Sequence, residues 1–275
     1  MNPHAAPGIS PIVAIASLRQ HRGLIVSLIR RDVVGRYRGS ALGLLWSFFN
    51  PVLMLVVYTF VFSIVFKARW TAGSDSKTEF ALVLFTGLVV FNLFAECIQR
   101  APGLVLGNVN YVKRVVFPLE ILPIVALGSA LFHMVIGLVV WIVFYVIFFG
   151  IPPLTSLLFP LVLLPLVLLT LGLSWFLASL GVFLRDVGQV VGVMTTALMF
   201  LSPIFYPITA LPDQYRLLVQ LSPLTITVES SRSVLVWGDG INWSEWGACL
   251  LASTVVAWLG FAWFQKTRKG FADVL

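Results

Sequence analysis

Charged side chains are missing from the middle of this chain. Residues 121–184, between Glu120 and Arg185, contain no Asp, Glu, Lys or Arg. A helix with one face in water shows polar residues on that face, so this composition excludes an ordinary soluble core. A bilayer core is about 30 Å thick and takes about 20 apolar residues per helical crossing. The stretch therefore predicts two membrane-spanning helices joined by a turn at residues 150–153, Gly-Ile-Pro-Pro.

Missing motifs exclude several kinds of chemistry. The two cysteines, Cys97 and Cys249, lie in apolar stretches and lack the Cys-x-x-Cys spacing of metal and redox sites. No Gly-Lys pair occurs, so the chain has no phosphate-binding loop of the Gly-x-x-x-x-Gly-Lys type. Asp-x-Asp, His-Glu-x-x-His and Gly-x-Ser-x-Gly patterns are absent as well. We therefore expect no catalytic residues, no metal site and no cofactor held by this chain.

Apolar residues are abundant instead. The chain is 59% hydrophobic and 11% charged, with a mean hydropathy of +1.00, whereas soluble domains carry about 25% charged residues. Its charge-poor runs predict an all-α, polytopic membrane protein with six transmembrane helices. The expected spans are residues 41–66, 80–95, 121–149, 154–184, 187–206 and 246–265.

Lys and Arg residues set the expected orientation of these spans. They are concentrated in the segments on the same side as the N-terminus, and six arginines lie between Arg19 and Arg38 alone. Cytoplasmic loops carry an excess of positive residues, so both termini are expected in the cytoplasm. The chain then divides into a cytoplasmic segment 1–40, a transmembrane domain 41–265 and a cytoplasmic tail 266–275.

Two segments outside the spans have patterns of their own. Within residues 18–34, apolar side chains recur at helical spacing and arginines lie outside their arc, which predicts a basic amphipathic helix at the inner membrane surface. The alternative is positive charge that only sets orientation. Residues 207–245 alternate prolines and glycines with short apolar pieces, which predicts two short helices on the outer side. A connection of this length is usually functional.

Few ionisable residues fall inside the predicted spans or at their ends. Glu96 and Arg100 are four residues apart and are expected to pair on one helix face near the inner interface. His133 is expected to be a packed histidine rather than a ligand. No carboxylate lies at mid-membrane, which argues against a proton-coupled transporter. Aromatic residues are frequent in the first span, and they can either pack or stack on the apolar faces of sugars.

Four stretches of the sequence resemble a known family. They are RYRGSALGLLW at 36–46 with Asn50-Pro51 following, VKRVVFPLEILP at 112–123, SPIFYP at 202–207 and KTRKGFAD at 266–273. In this order they resemble the permease subunits of type-2 ABC exporters, in the branch that exports polysaccharides.

The resemblance implies a transport role rather than an enzyme. Such permeases form homodimers with two copies of a separate ATP-binding subunit, which holds ATP and Mg. They move a lipid-linked polysaccharide, here O antigen on a polyprenyl diphosphate, across the bacterial inner membrane through a channel at the dimer interface. Teichoic acid, capsule, or a small lipid or drug are alternative substrates, and a membrane-embedded glycosyltransferase is the alternative of another class. No nucleic acid partner is expected.

The resemblance also implies roles for particular residues. Coupling to the ATPase is expected from Asn108, Asn110, Tyr111, Lys113, Arg114, Arg185 and Asp186. The lipid diphosphate is expected to bind where it enters, at Arg30, Arg31, Arg36, Tyr37 and Arg38. The polymer channel is expected to contain Trp46, Phe49, Tyr58, Phe62, Phe205 and Tyr206. Glu229 and Arg232 are expected to pair in the outer gate.

Overall fold

The computed structural model describes residues 10–61, 70, 77–112 and 117–275, and every regular element among them is helical. The all-α membrane architecture predicted from composition is therefore confirmed. The α-helices are α1 (Pro11–Gln20), α2 (Arg22–Arg36), α3 (Trp46–Tyr58), α4 (Lys77–Arg100), α5 (Gly103–Leu106), α6 (Val109–Val112), α7 (Leu122–Phe149), α8 (Phe159–Phe183), α9 (Val187–Leu201), α10 (Asp213–Gln220), α11 (Pro223–Arg232), α12 (Trp243–Thr267) and α13 (Phe271–Val274).

Five helical stretches of the described chain are long and apolar enough to cross a membrane. They are Gly43–Val61, Thr78–Arg100, Leu119–Phe149, Leu154–Phe183 and Trp243–Val274. The predicted turn at residues 150–153 is confirmed, since α7 ends at Phe149 and Gly150 adopts a φ of 89°.

The predicted fifth span, 187–206, is shorter than expected. Its helix, α9, covers Val187–Leu201 and is apolar but below the length of the other five. Ser202 already has extended backbone angles (φ −80°, ψ 150°), because the following Pro203 disfavours a helical conformation before it. The count of six spans therefore stays a prediction.

Helix α4 lies at the centre of the bundle. About 89% of the most apolar part of this helix is buried, against 11% for the stretch Gly43–Val61. It packs against α7, α8, α9 and α11. In a soluble protein, burial of apolar side chains stabilises the fold by about 25 cal/mol per Å², because the alternative is water. Helices in lipid lack this contribution, so their association depends on close packing instead.

Close packing is tightest where α8 meets α12. A Cβ atom added to Gly260 would lie 2.0 Å from the carbonyl oxygen of Gly172, and one added to Gly172 would lie 2.5 Å from the carbonyl oxygen of Val256. Only glycine allows the two backbones to approach this closely. These two spans therefore form a closely packed pair.

The basic helix predicted within 18–34 is formed by the end of α1 and most of α2. Its apolar side chains Ile25 and Leu28 are buried against Ile121 and Val125, at the start of the α7 stretch. Leu24, which the pattern placed on the same face, is 37% exposed. The apolar face of α2 thus docks on protein, and its contact with a membrane surface stays a prediction.

Candidate functional site

A cavity of about 710 Å³ lies between α3, α4, α7 and α9, next to the end of α2. Apolar and aromatic side chains line most of it, including Tyr58, Phe85 and Phe91. Polar side chains converge at the end nearest α2. Concave, largely apolar sites with a few convergent polar groups are typical of ligand-binding sites. This cavity is therefore the candidate functional site among the described residues.

Glu96 organises the polar end of the cavity. Arg36 Nη2 donates a hydrogen bond to Glu96 Oε1 at 2.6 Å, and His133 Nδ1 lies 3.0 Å from Glu96 Oε2. The hydroxyl of Tyr37 lies 3.2 Å from the other ring nitrogen of His133. His133 is therefore hydrogen-bonded on both sides, and this network joins the end of α2 to α4 and α7.

A second ion pair lies beside this network. Arg100 Nη2 donates to both carboxylate oxygens of Asp32, at 2.7 and 2.9 Å. Burial by itself would raise the pKa of Asp32, but the hydrogen bonds and charge of Arg100 hold that pKa below its ordinary value. The predicted pair of Glu96 and Arg100 is present at 3.6 Å. Each of its members has a closer partner on α2, which packs against the neighbouring helix α7.

Arg232 is the most deeply buried charge described, with no exposed surface. It donates to the carbonyl oxygens of Val83, Pro203 and Ile204 at 3.1, 2.6 and 2.9 Å. It also pairs with Glu229 Oε1 at 2.5 Å, and its guanidinium lies 4.2 Å from the ring centre of Trp70. The predicted contact between Glu229 and Arg232 is therefore found, together with an anchor of α11 on α4.

Comparison with known proteins identifies the family. A family model described as "ABC-2 type transporter" matches residues 23–236. This chain belongs to the ABC-2 type transporter family. The permease is 28% identical to the O-antigen export system permease protein RfbA of Myxococcus xanthus, across 94% of this chain and 98% of that protein. It is 26% identical to the RfbA protein of Klebsiella pneumoniae, across 92% and 95%.

A further relative is named for the transport of a different polysaccharide. The permease is 24% identical to the polysialic acid transport protein KpsM of Escherichia coli, across 89% of this chain and 93% of that one. The resemblance to the polysaccharide branch of type-2 ABC permeases is thus confirmed. The permease is a multi-pass inner-membrane protein with a transport role, and its family implies an ATP-binding partner.

The predicted coupling residues lie at two places in the permease. Tyr111, in α6, stacks on Phe117 with ring centres 4.2 Å apart and accepts a hydrogen bond from Arg31 at 2.8 Å. The side chain of Asn108 donates to the carbonyl oxygen of Leu104 at 2.9 Å, and Asn110 is exposed. Lys113 and Arg114 lie outside the described residues. The second place is the turn between α8 and α9, where both predicted residues are exposed: Arg185 and Asp186.

The residues expected to meet the lipid diphosphate do not form one cluster. Arg36 and Tyr37 line the cavity, and Arg36 is already paired with Glu96. Arg31 is held by Tyr111, which joins the predicted lipid-binding helix to the predicted coupling segment. Arg30 and Arg38 are exposed. Among these cations, Arg36 and Arg31 have side-chain partners, whereas Arg30 and Arg38 are exposed.

The predicted channel aromatics also divide. Tyr58 lines the cavity and packs against Phe205 with ring centres 6.0 Å apart. The hydroxyl of Tyr206 donates to the carbonyl oxygen of Leu201 at 2.9 Å, which ties it to the end of α9. Trp46 and Phe49 are 37% and 41% exposed and do not line the cavity. Phe62 lies outside the described residues.

Sequence reasoning missed several polar residues of the cavity. Asn50, Asn92 and Gln99 all line it, although none was assigned a role from the pattern. The sequence did contain a signal for them, because they are side-chain amides inside otherwise apolar runs. Asp32 was missed as well, because its partner Arg100 is distant in sequence and no local spacing connects them.

Proposed function

We propose that this permease is the transmembrane subunit of an ATP-driven exporter of lipid-linked O antigen. Two permeases would pair with two ATP-binding subunits that hold ATP and Mg, and the polymer on its polyprenyl diphosphate would cross the inner membrane between the permeases. The observation that carries this proposal is the end-to-end match to O-antigen export permeases in two organisms. In this arrangement α9 would be the fifth of six spans and both termini would be cytoplasmic.

Capsular polysaccharide is the second candidate substrate. The 24% identity to the polysialic acid transport protein of Escherichia coli favours it, since that match covers 89% of the chain. Both candidates are long polysaccharides. They differ from small lipids and drugs in needing a path that accommodates many successive sugars.

The exposed arginines of α2 and of the turn that follows it suit the phosphate end of such a substrate. A guanidinium can donate two parallel hydrogen bonds to phosphate oxygens. Arg30 and Arg38 are exposed and so are accessible to a headgroup. Arg31 donates a hydrogen bond to Tyr111, so headgroup binding at α2 would affect the coupling segment through this contact. At the opposite end, α10 and α11 would form the outer gate.

Co-expression with the ATP-binding subunit tests the proposal. The purified complex, reconstituted in vesicles, is expected to hydrolyse ATP faster when lipid-linked O antigen is added and to move the glycan across the bilayer. Stimulation by lipid-linked capsular polysaccharide alone would favour the second candidate. Transport or modification of the glycan by the permease without any ATP-binding subunit would refute both.

Charge reversal tests the proposed coupling segment in the same assay. Lys113→Glu with Arg114→Glu is expected to preserve assembly but to separate ATP hydrolysis from glycan movement. The matched control is Lys266→Glu with Lys269→Glu, which reverses two exposed charges of the tail. Normal export by the variant in the coupling segment would remove Lys113 and Arg114 from that role.

A further inference from the structure

Helix α4 is almost completely covered by its neighbours, with two exceptions. From Thr78 to Arg100, the only exposed side chains are those of Asn92 and Gln99. They are seven residues apart, which places them on the same helix face about 10 Å apart. Both line the cavity. The two accessible positions on the central span are therefore both side-chain amides, and both face the same space.

A third amide lines this cavity from another helix. Asn50 of α3 is exposed and lines the cavity, on the same helix face as Met54 and Tyr58. No hydrogen bond links the side chain of Asn50, Asn92 or Gln99 to any other described residue. Three neutral amides on two helices thus present free donors and acceptors to one cavity.

Unpaired amides are unfavourable in hydrocarbon, because no water is present to bond their N–H and C=O groups. Polar side chains within spanning helices accordingly face a bundle interior or a water-filled cavity and mark substrate paths. The amides of α3 and α4 therefore suit a cavity that holds water or a substrate with hydrogen-bonding groups of its own. Acyl or polyprenyl chains offer none.

The chemistry of the wall selects among polar occupants. The two arginines that line the cavity, Arg36 and Arg100, already have carboxylate partners in Glu96 and Asp32, so little positive charge is free for a diphosphate. A side-chain amide both donates and accepts, as a hydroxyl does. The ring of Tyr58 and those of other lining aromatics add apolar faces against which a sugar ring can pack.

We propose that Asn50, Asn92 and Gln99 form a carbohydrate-binding track that contacts the sugar hydroxyls of the polymer and not its lipid diphosphate. This inference rests on the proposed export function and adds the residues that hold the glycan. A cavity of about 710 Å³ is within the usual range for ligand sites and holds a short segment of polymer at a time.

Thiol labelling of the complex with the ATP-binding subunit tests the track directly. The native thiols of Cys97 and Cys249 are buried, with 1% and 4% exposure, so they give a low background. Asn92→Cys is placed in the reconstituted complex and treated with a water-soluble maleimide. Lipid-linked glycan is expected to slow labelling, whereas the same polyprenyl diphosphate without glycan is not. Asn242→Cys, at an exposed position that does not line the cavity, is the control and should label equally under all conditions.

Each of the other labelling outcomes would contradict the proposed carbohydrate-binding track. No labelling with or without substrate would mean that protein, such as the second permease, covers the amide face. Equal protection by the glycan-free lipid would mean that the cavity holds the lipid. Labelling that neither ligand changes would place the glycan elsewhere.

A functional measurement separates this inference from the proposed function. Asn92→Leu with Gln99→Leu is expected to raise the glycan concentration for half-maximal ATPase stimulation about tenfold, since each lost hydrogen bond is worth about 1 kcal/mol or somewhat less. Asn92→Gln keeps the amide and should stay near wild type, as should the control Asn242→Leu. If wild type responds to glycan and the double variant matches it, only the track is wrong. If wild type does not respond to glycan, the export function fails and the track falls with it.

Discussion

Replacing Arg232 by methionine tests what holds α11 against the central span. Methionine occupies a similar volume but has no N–H donors. In the native protein this fully buried guanidinium satisfies the carbonyl oxygens of Val83, Pro203 and Ile204 and the carboxylate of Glu229. Removing it leaves these four acceptors without their donor. Water cannot replace that donor at the Arg232 position, because the position is fully buried.

The size of the effect follows from these contacts. A buried acceptor that loses its donor costs about 1–3 kcal/mol, and removing one partner of a buried ion pair costs about 3–5 kcal/mol. Glu229 is 32% exposed, so water can solvate its carboxylate and the lower part of that range applies. We expect Arg232→Met to lower the free energy of unfolding by about 4 kcal/mol. Arg232→Lys keeps the charge but has three donors, and about 2 kcal/mol is expected.

The assay is SDS titration of the purified permease in mixed micelles, followed by tryptophan fluorescence. The matched control is Arg216→Met, because Arg216 is only half-buried and pairs with the exposed Asp213 in the same outer segment. An exposed pair of this kind is worth about 1 kcal/mol or less. If Arg232→Met unfolds within about 1 kcal/mol of wild type, the reasoning that α11 is anchored through this side chain is refuted.

Two further predictions use the same titration. Gly260→Leu should force α8 and α12 apart at Gly172 and lower the free energy of unfolding by about 3 kcal/mol. The control Gly247→Leu has open space around its Cβ position and should change this free energy little, so equal effects of the two variants would contradict the close-packing argument. The depressed pKa of Asp32 means that its pair with Arg100 stabilises the protein above the ordinary value of 3.8 and that this contribution is lost as the pH falls below it. Solvent screening limits the contribution to about 1 kcal/mol. Wild type should therefore lose up to that much more stability than Asp32→Asn as the pH falls from 6 to below 3.8, and parallel pH profiles would count against it.

Several elements of the fold could be predicted because they depend on local composition. The charge-free residues 121–184 became α7 and α8, and Gly150 ended the first of them as the turn pattern indicated. The end of α9 was placed too late, although Pro203 stood in the sequence. Hydropathy measures apolar content, and residues 202–206 are largely apolar; the backbone restriction before Pro203 is a separate effect that ends the helix.

The candidate site was harder to predict because its contacts join distant segments. A four-residue spacing suggested Glu96 with Arg100, and that pair forms, but Arg36 and His133 lie closer to Glu96 than Arg100 does. These partners are supplied by α2 and α7, and no periodicity within α4 indicates them. The sequence left open whether the aromatic residues of the first span pack or meet sugars, and only the packed helices placed Tyr58 on the cavity and left Trp46 away from it.

The sequence by itself determined that this protein is helical and resides in a membrane, because the transfer of a helix into hydrocarbon depends on the residues of that helix alone. It also carried the family resemblance, since those motifs are contiguous strings. Tertiary structure decided which polar groups are paired and which remain available. Whether Glu96 or Asn92 has a partner depends on the distance to other helices, and that distance is set by how closely neighbouring helices such as α2, α3 and α7 pack against α4.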